Sequence, residues 1–88
     1  MRLSRGMRLH VLYFAAVREL VAREEESIDA PASVQTVGDF SAWIAVQHPA
    51  LAGRMGSVRI ARNEVFAESE EALADGDVLA LIPPVAGG

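Results

Sequence analysis

An α+β domain, with one main helix packed across a mixed sheet, is the fold class this sequence predicts, and three observations carry it. Segments whose apolar residues fall at alternate positions recur along the chain, which is the period of half-buried strands. Between two of them Val37, Phe40, Trp43, Ile44 and Gln47 recur at helical spacing instead. The last segment, Val78-Leu-Ala-Leu-Ile82, is apolar at every position, as suits a strand that is central or that exposes a binding patch.

Taken in order, residues 8–14 read as the first strand, with Leu9, Val11 and Tyr13 on one face and His10, Leu12 and Phe14 on the other. The polar His10 assigns the first set to the core, so Phe14 falls on the outer side or at the strand's end, a candidate exposed aromatic. Residues 15–22 are rich in helix formers and predict two turns of helix before the acidic run Glu24-Glu25-Glu26, which suits a solvated edge. Ser27-Ile-Asp-Ala30 predicts a short edge strand stopped by Pro31, which cannot donate to a ladder. Thr36 with Asp39 is a capping-box pattern that opens the main helix, and Pro49 stops it. Trp43, the single tryptophan, is expected in the core as part of that helix's lid over the sheet. Beyond Gly53 and Gly56, residues 57–62 alternate again, Asn63-Glu64 predicts a turn, and residues 65–67 a short strand. A polar connection containing Leu73 then reaches the turn Asp75-Gly76-Asp77 and the last of about five strands.

Length and composition bound the function. Eighty-eight residues, 51% hydrophobic and 23% charged, suit one globular domain of modest stability. With no cysteine there is no disulfide, thiolate nucleophile or persulfide on the chain, so any sulfur chemistry must use another atom. A net charge of −4 with scattered arginines argues against nucleic acid. The apolar runs are far short of the ~20 residues that span a bilayer, and residues 1–6 lead into no signal-type core, so no membrane association and a cytoplasmic location are expected. All eight basic side chains are arginine, which leaves no side-chain amine to accept an isopeptide bond.

Side-chain chemistry is sparse. His10 on a strand and His48 before Pro49 have no acid cluster at ligand spacing, so no metal site is expected. Six serines lack any nucleophile-elbow context, and Asp75-Gly76-Asp77 lacks the remaining ligands of a calcium loop. The chain's end is more informative. Pro83 and Pro84 stiffen an extended exit from the last strand. Val85, Ala86, Gly87 and Gly88 then complete six residues that reach up to ~20 Å when extended. Without a Cβ, Gly87 and Gly88 suit threading through a narrow channel.

The stretch from Met7 onward resembles the small, sulfur-carrying subunit of molybdopterin synthase, a ubiquitin-like family of β-grasp fold. The matching residues are Val11-Leu-Tyr-Phe-Ala-Ala-Val-Arg-Glu-Leu20, Arg62-Asn63, and Leu73-Ala-Asp-Gly-Asp-Val-Leu-Ala-Leu-Ile-Pro-Pro-Val-Ala-Gly-Gly88. They span the whole domain, and their combination is specific where a bare Gly-Gly terminus is not. The resemblance divides the chain into an expected disordered extension over residues 1–6, a β-grasp domain over 7–82 and a tail over 83–88.

The resemblance implies that an E1-like enzyme uses ATP to adenylate the Gly88 carboxylate, and that a sulfur donor acting through that enzyme converts the adenylate to a thiocarboxylate. ATP then belongs to the partner, and this chain binds no cofactor and supplies no catalytic side chain. Pro83, Pro84, Val85, Ala86 and Gly87 would thread the channel of the large, catalytic synthase subunit. There the sulfur passes to cyclic pyranopterin monophosphate and builds the dithiolene, within a heterotetramer of two small and two large subunits. On the family pattern Phe14, Phe66 and Ile82 form the partner-binding patch, against the alternative that Phe66 and Ile82 complete the core. Three other functions stay open: a sulfur carrier for thiamine or cysteine synthesis, a ubiquitin-like protein modifier, and a non-catalytic β-grasp binding module.

Overall fold

A computed structural model describes residues 6–84; residues 1–5, part of the expected extension, and tail residues Val85, Ala86, Gly87 and Gly88 lie outside the described residues. The elements are β1 (Met7–Tyr13), α1 (Ala15–Val21), β2 (Glu25–Ala30), α2 (Val37–Gln47), β3 (Arg59–Arg62), β4 (Val65–Phe66) and β5 (Val78–Ile82). Single 3-10 turns at Pro49–Leu51 and Met55–Ser57 link α2 to β3.

The strands form one five-stranded sheet in the order β2-β1-β5-β3-β4. β5 is therefore central. It pairs in parallel with β1 and antiparallel with β3, while β1–β2 and β3–β4 are antiparallel, so the sheet is mixed as expected. Alternation sends Leu9, Val11 and Tyr13 of β1 and Leu79 and Leu81 of β5 to the inner face, where Val37, Phe40 and Ile44 of α2 cover them. Leu51, Leu73 and Val34 close the edges of this core.

Local chemistry fixes the ends. The Thr36 hydroxyl accepts from the Asp39 N–H at 3.1 Å while the Asp39 carboxylate accepts from the Thr36 N–H at 3.1 Å, the reciprocal capping box that the sequence signals. The β3–β4 hairpin turns on Asn63 and Glu64 at φ 51° and 75°, both in the left-handed region that a two-residue type I′ turn demands.

Four expectations need correction. β1 ends at Tyr13, because Phe14 takes an extended conformation as the N-cap of α1. β2 begins at Glu25 rather than Ser27, and the acidic run is not wholly solvated: Glu26 turns inward to Tyr13 of β1 and to His48, the residue that follows α2. Trp43 is only half-buried, flanking Phe40 at the side of α2 with ring centroids 6.3 Å apart, because Phe40 and Ile44 already fill the space over the sheet. Finally, β3 starts at Arg59, since residues 55–57 close into a 3-10 turn first.

Candidate functional site

The outer face of the sheet is divided by its sequence. Over β2 and the start of β1 it is polar, with Arg8 paired to Asp29 at 3.0 Å and the His10 ring bonded to Ser27 at 3.0 Å and Glu25 at 2.8 Å. Over the other half it is apolar. Cross-strand register sets Leu12 beside Ala80, Ala80 beside Ala61 and Ala61 beside Phe66. Alanines in the middle leave a depression that larger residues border. The result is an open groove of about 590 Å³ lined by Leu12, Phe14, Ala61, Phe66, Val78, Ala80 and Ile82, with Asn63 and Glu64 at one end.

The structure thus brings Phe14, Phe66 and Ile82 to one groove from three separate elements. Phe14 is 44% exposed and Phe66 49%, and Ile82 is half-buried, so none of the three belongs to the buried core. Phe14 is held at the rim by its N–H, which donates to the Leu81 carbonyl at 3.2 Å. Sequence reasoning did not identify the alanine floor, although Leu12 shares the outer face with His10 and hinted at it. It also missed Arg59, whose guanidinium lies 3.8 Å from the Phe66 ring centroid and whose register partner is Ile82. Pro83 follows half-buried and Pro84 exposed, so the chain leaves the fold beside the groove.

Two carboxylates, Asp77 buried and Glu26 partly buried, position this surface. Asp77, 5% exposed, accepts from Arg62 Nε at 2.6 Å, Asn63 Nδ2 at 2.9 Å and the Ala74 N–H at 2.8 Å. Asn63 in turn receives the Val78 N–H at 2.9 Å, so the hairpin turn is tied to the first residue of β5. Burial alone raises the Asp77 pKa, but the bonds from Arg62, Ala74 and Asn63 outweigh it and hold the carboxyl below its usual range. Gly76 at φ 89° supplies the left-handed residue that aims Asp77 inward.

On the other side of the sheet, Glu26 accepts the Tyr13 hydroxyl at 2.6 Å and meets His48 Nε2 at 2.6 Å, while Arg23 donates to its second oxygen at 2.8 Å. The two aromatic rings meet edge to face with centroids 5.7 Å apart. Burial pushes the Glu26 pKa up, and the bonds from Tyr13 and His48 with the charge of Arg23 bring it below its ordinary value. Burial, then the Glu26 bond and charge, push the Tyr13 phenol far up. This cluster pins the end of β1 from which Phe14 emerges.

Among the described residues no group of three or more His, Asp or Glu side chains is placed to hold a metal ion, and no helix is long and apolar enough to cross a membrane.

A model of the ThiS family matches residues 11–88. The chain belongs to the ThiS family. The molybdopterin synthase sulfur carrier subunit of Chlamydomonas reinhardtii is 38% identical over 84 residues, covering 93% of this chain and 100% of that one. Among solved structures, small archaeal modifier protein 1 of Haloferax volcanii superposes with a TM-score of 0.77 at 33% identity, covering 91% of this chain and 100% of that one. A chain from the protein–protein complex of subunits 1 and 2 of the molybdopterin-converting factor of Helicobacter pylori does so with a TM-score of 0.66 at 29% identity, covering 93% and 100%. The fold of this ThiS-family chain is the ubiquitin-like β-grasp. Its match extends through Gly88, so the residues of the tail belong to the family's region of similarity as much as the sheet does.

Proposed function

We propose that this chain is the sulfur carrier subunit of molybdopterin synthase, acting through its terminal glycine. The observation that carries this reading is the likeness to a carrier subunit along the whole of that relative's length, by a chain that has no cysteine and few side chains placed for catalysis. A carboxylate is a poor electrophile. Adenylation of Gly88 by an E1-like enzyme, with loss of pyrophosphate from ATP, turns it into a mixed anhydride. Attack by the terminal sulfur of a donor persulfide then expels AMP and leaves an acyl disulfide, whose S–S bond a second thiol of the partner cleaves, forming a disulfide with the donor sulfur and releasing the thiocarboxylate. The apolar groove docks the carrier on the synthase large subunit, Pro83 and Pro84 direct the tail away from the sheet, and the thiocarboxylate donates sulfur to cyclic pyranopterin monophosphate. Two donations complete the dithiolene, in a cytoplasmic heterotetramer with two carriers. The chain itself binds no cofactor.

A second reading rests on the likeness to a small archaeal modifier protein. Both share the adenylated terminus and part at the acceptor, a sulfur in one case and a lysine amine in the other. The deciding experiment incubates the untagged protein with its adenylating enzyme, ATP and a persulfide donor and measures intact mass. Replacement of one oxygen by sulfur on Gly88, followed by dithiolene formation once the large subunit and precursor are added, is the expected result. Amide-linked adducts to other proteins without a thiocarboxylate would establish the modifier instead, and an unchanged mass would leave a binding module.

A further inference from the structure

Two ionic side chains border the apolar groove, and neither forms an ion pair among the described residues, where Arg8, Arg18, Arg23 and Arg62 are each paired with a carboxylate. Arg59 lies at the end where β5 leads into Pro83, its guanidinium carbon 3.8 Å from the Phe66 ring centroid and its register partner Ile82. Glu64 lies at the other end, in the hairpin turn. At about 3.3 Å per residue along β3, the two backbone positions stand roughly 15 Å apart. The cation–π contact with Phe66 orders the guanidinium while its N–H groups meet no acceptor among the described residues, the arrangement that receives a carboxylate bidentately at little further entropic cost. Glu64 is held in place by the turn, at φ 75°, a conformation that disfavours a β-carbon. A net charge of −4 makes an uncommitted cation on this face the exception.

We propose that the groove reads its docking partner by charge order as well as by apolar contact: the occupant is a segment of the synthase large subunit with an acidic side chain facing Arg59, apolar anchors over Ala61 and Ala80, and a basic side chain facing Glu64. This rests on the docking role assigned to the groove above. Because cation and anion lie at opposite ends, the groove accepts the segment in one direction only, with its acidic end toward the tail. Rejection of the reversed orientation then comes from like charges meeting at both ends.

The test is calorimetric titration of the full chain with the synthase large subunit, at low and at physiological salt. Arg59→Glu and Glu64→Arg are each expected to weaken binding by about tenfold or more at low salt and by less as salt rises. Arg59→Gln, which removes the charge and keeps a polar side chain, should lose an intermediate amount. Ile82→Asp is the control for the docking role itself. If Ile82→Asp weakens binding while both charge variants stay within about twofold of the parent, charge reading is overturned and docking stands. If Ile82→Asp also leaves binding unchanged in a folded protein, the docking role fails as well. A chain ending at Pro84 separates the remaining occupant. An Arg59→Glu effect that vanishes without residues 85–88 would mean that the guanidinium holds the chain's own terminus, which overturns the proposal.

Discussion

At the scale of single residues, the groove depends on groups that never face it. Asp77 is enclosed and satisfies Arg62, Asn63 and the Ala74 N–H at once. Asp77→Ala leaves two polar side chains without their acceptor, and we expect a loss of about 2–4 kcal/mol in urea unfolding, with Asp77→Asn losing less because it still accepts. Acidity exposes the same network. The Asp77 and Glu26 carboxyls are held below their ordinary values of 3.8 and 4.5, so each contributes stability that is fully present above those values. That contribution is lost as pH falls through the lower folded values, when both states bind the proton. The unfolding free energy of Glu26→Gln should therefore fall less steeply than the parent's as pH is lowered through the acid range, and an unchanged slope would assign the acid sensitivity elsewhere. The Tyr13 phenol runs the opposite way: its folded pKa is raised, so its contribution is present below 10.0 and declines as pH climbs above it. On the exposed rim, Phe14→Asp should leave the melting temperature nearly unchanged and weaken large-subunit binding by about 2 kcal/mol or more in calorimetry.

At the scale of elements, what was legible in the sequence is what depends on neighbours close along the chain. The capping box at Thr36 and Asp39, the alternation of β1, the turn at Asn63-Glu64 and the helix stop before Pro49 are all short-range signals, and each is present in the structure. What was not legible depends on which distant residue arrives alongside. Glu26 read as solvated because nothing local to it shows that Tyr13 and His48 meet its carboxylate. Asp77 read as a simple turn residue because Arg62 and Asn63 come from the β3–β4 hairpin, distant along the chain. The groove was half legible: Phe14 had no core role on its own strand, while the alanine floor needed the register of β1, β5 and β3. The hairpin supplies a prediction at this scale. Glu64 occupies a turn position that favours glycine, so Glu64→Gly should stabilise the fold by about 0.5–1 kcal/mol in thermal unfolding. The same change removes the anion at the groove's end. A variant that melts higher and docks more weakly would show that the turn keeps a disfavoured residue for its charge.

At the scale of the whole molecule, fold and chemistry are separable in one direction only. Removing Gly88 should leave unfolding unchanged, because the fold's strands end at Ile82, and should abolish dithiolene formation; a truncated chain that still supports it would refute the terminal-carboxylate chemistry. On the proposed function an adenylating enzyme and the large subunit would both need that one terminus, so native mass spectrometry should find each bound alone and never both on one carrier. The reverse separation does not exist, because the strand that leads into the tail is the last in sequence and the middle of the sheet. During synthesis the chain up to Asp77 has neither the inner layer of Leu79 and Leu81 nor the groove positions Val78, Ala80 and Ile82. A product terminated before Val78 therefore lacks the central strand of its sheet, three positions of its groove and the terminal glycine together. On the proposed chemistry, a chain halted before Val78 offers an activating enzyme neither a complete groove nor the terminal glycine, so no ATP would be spent on it.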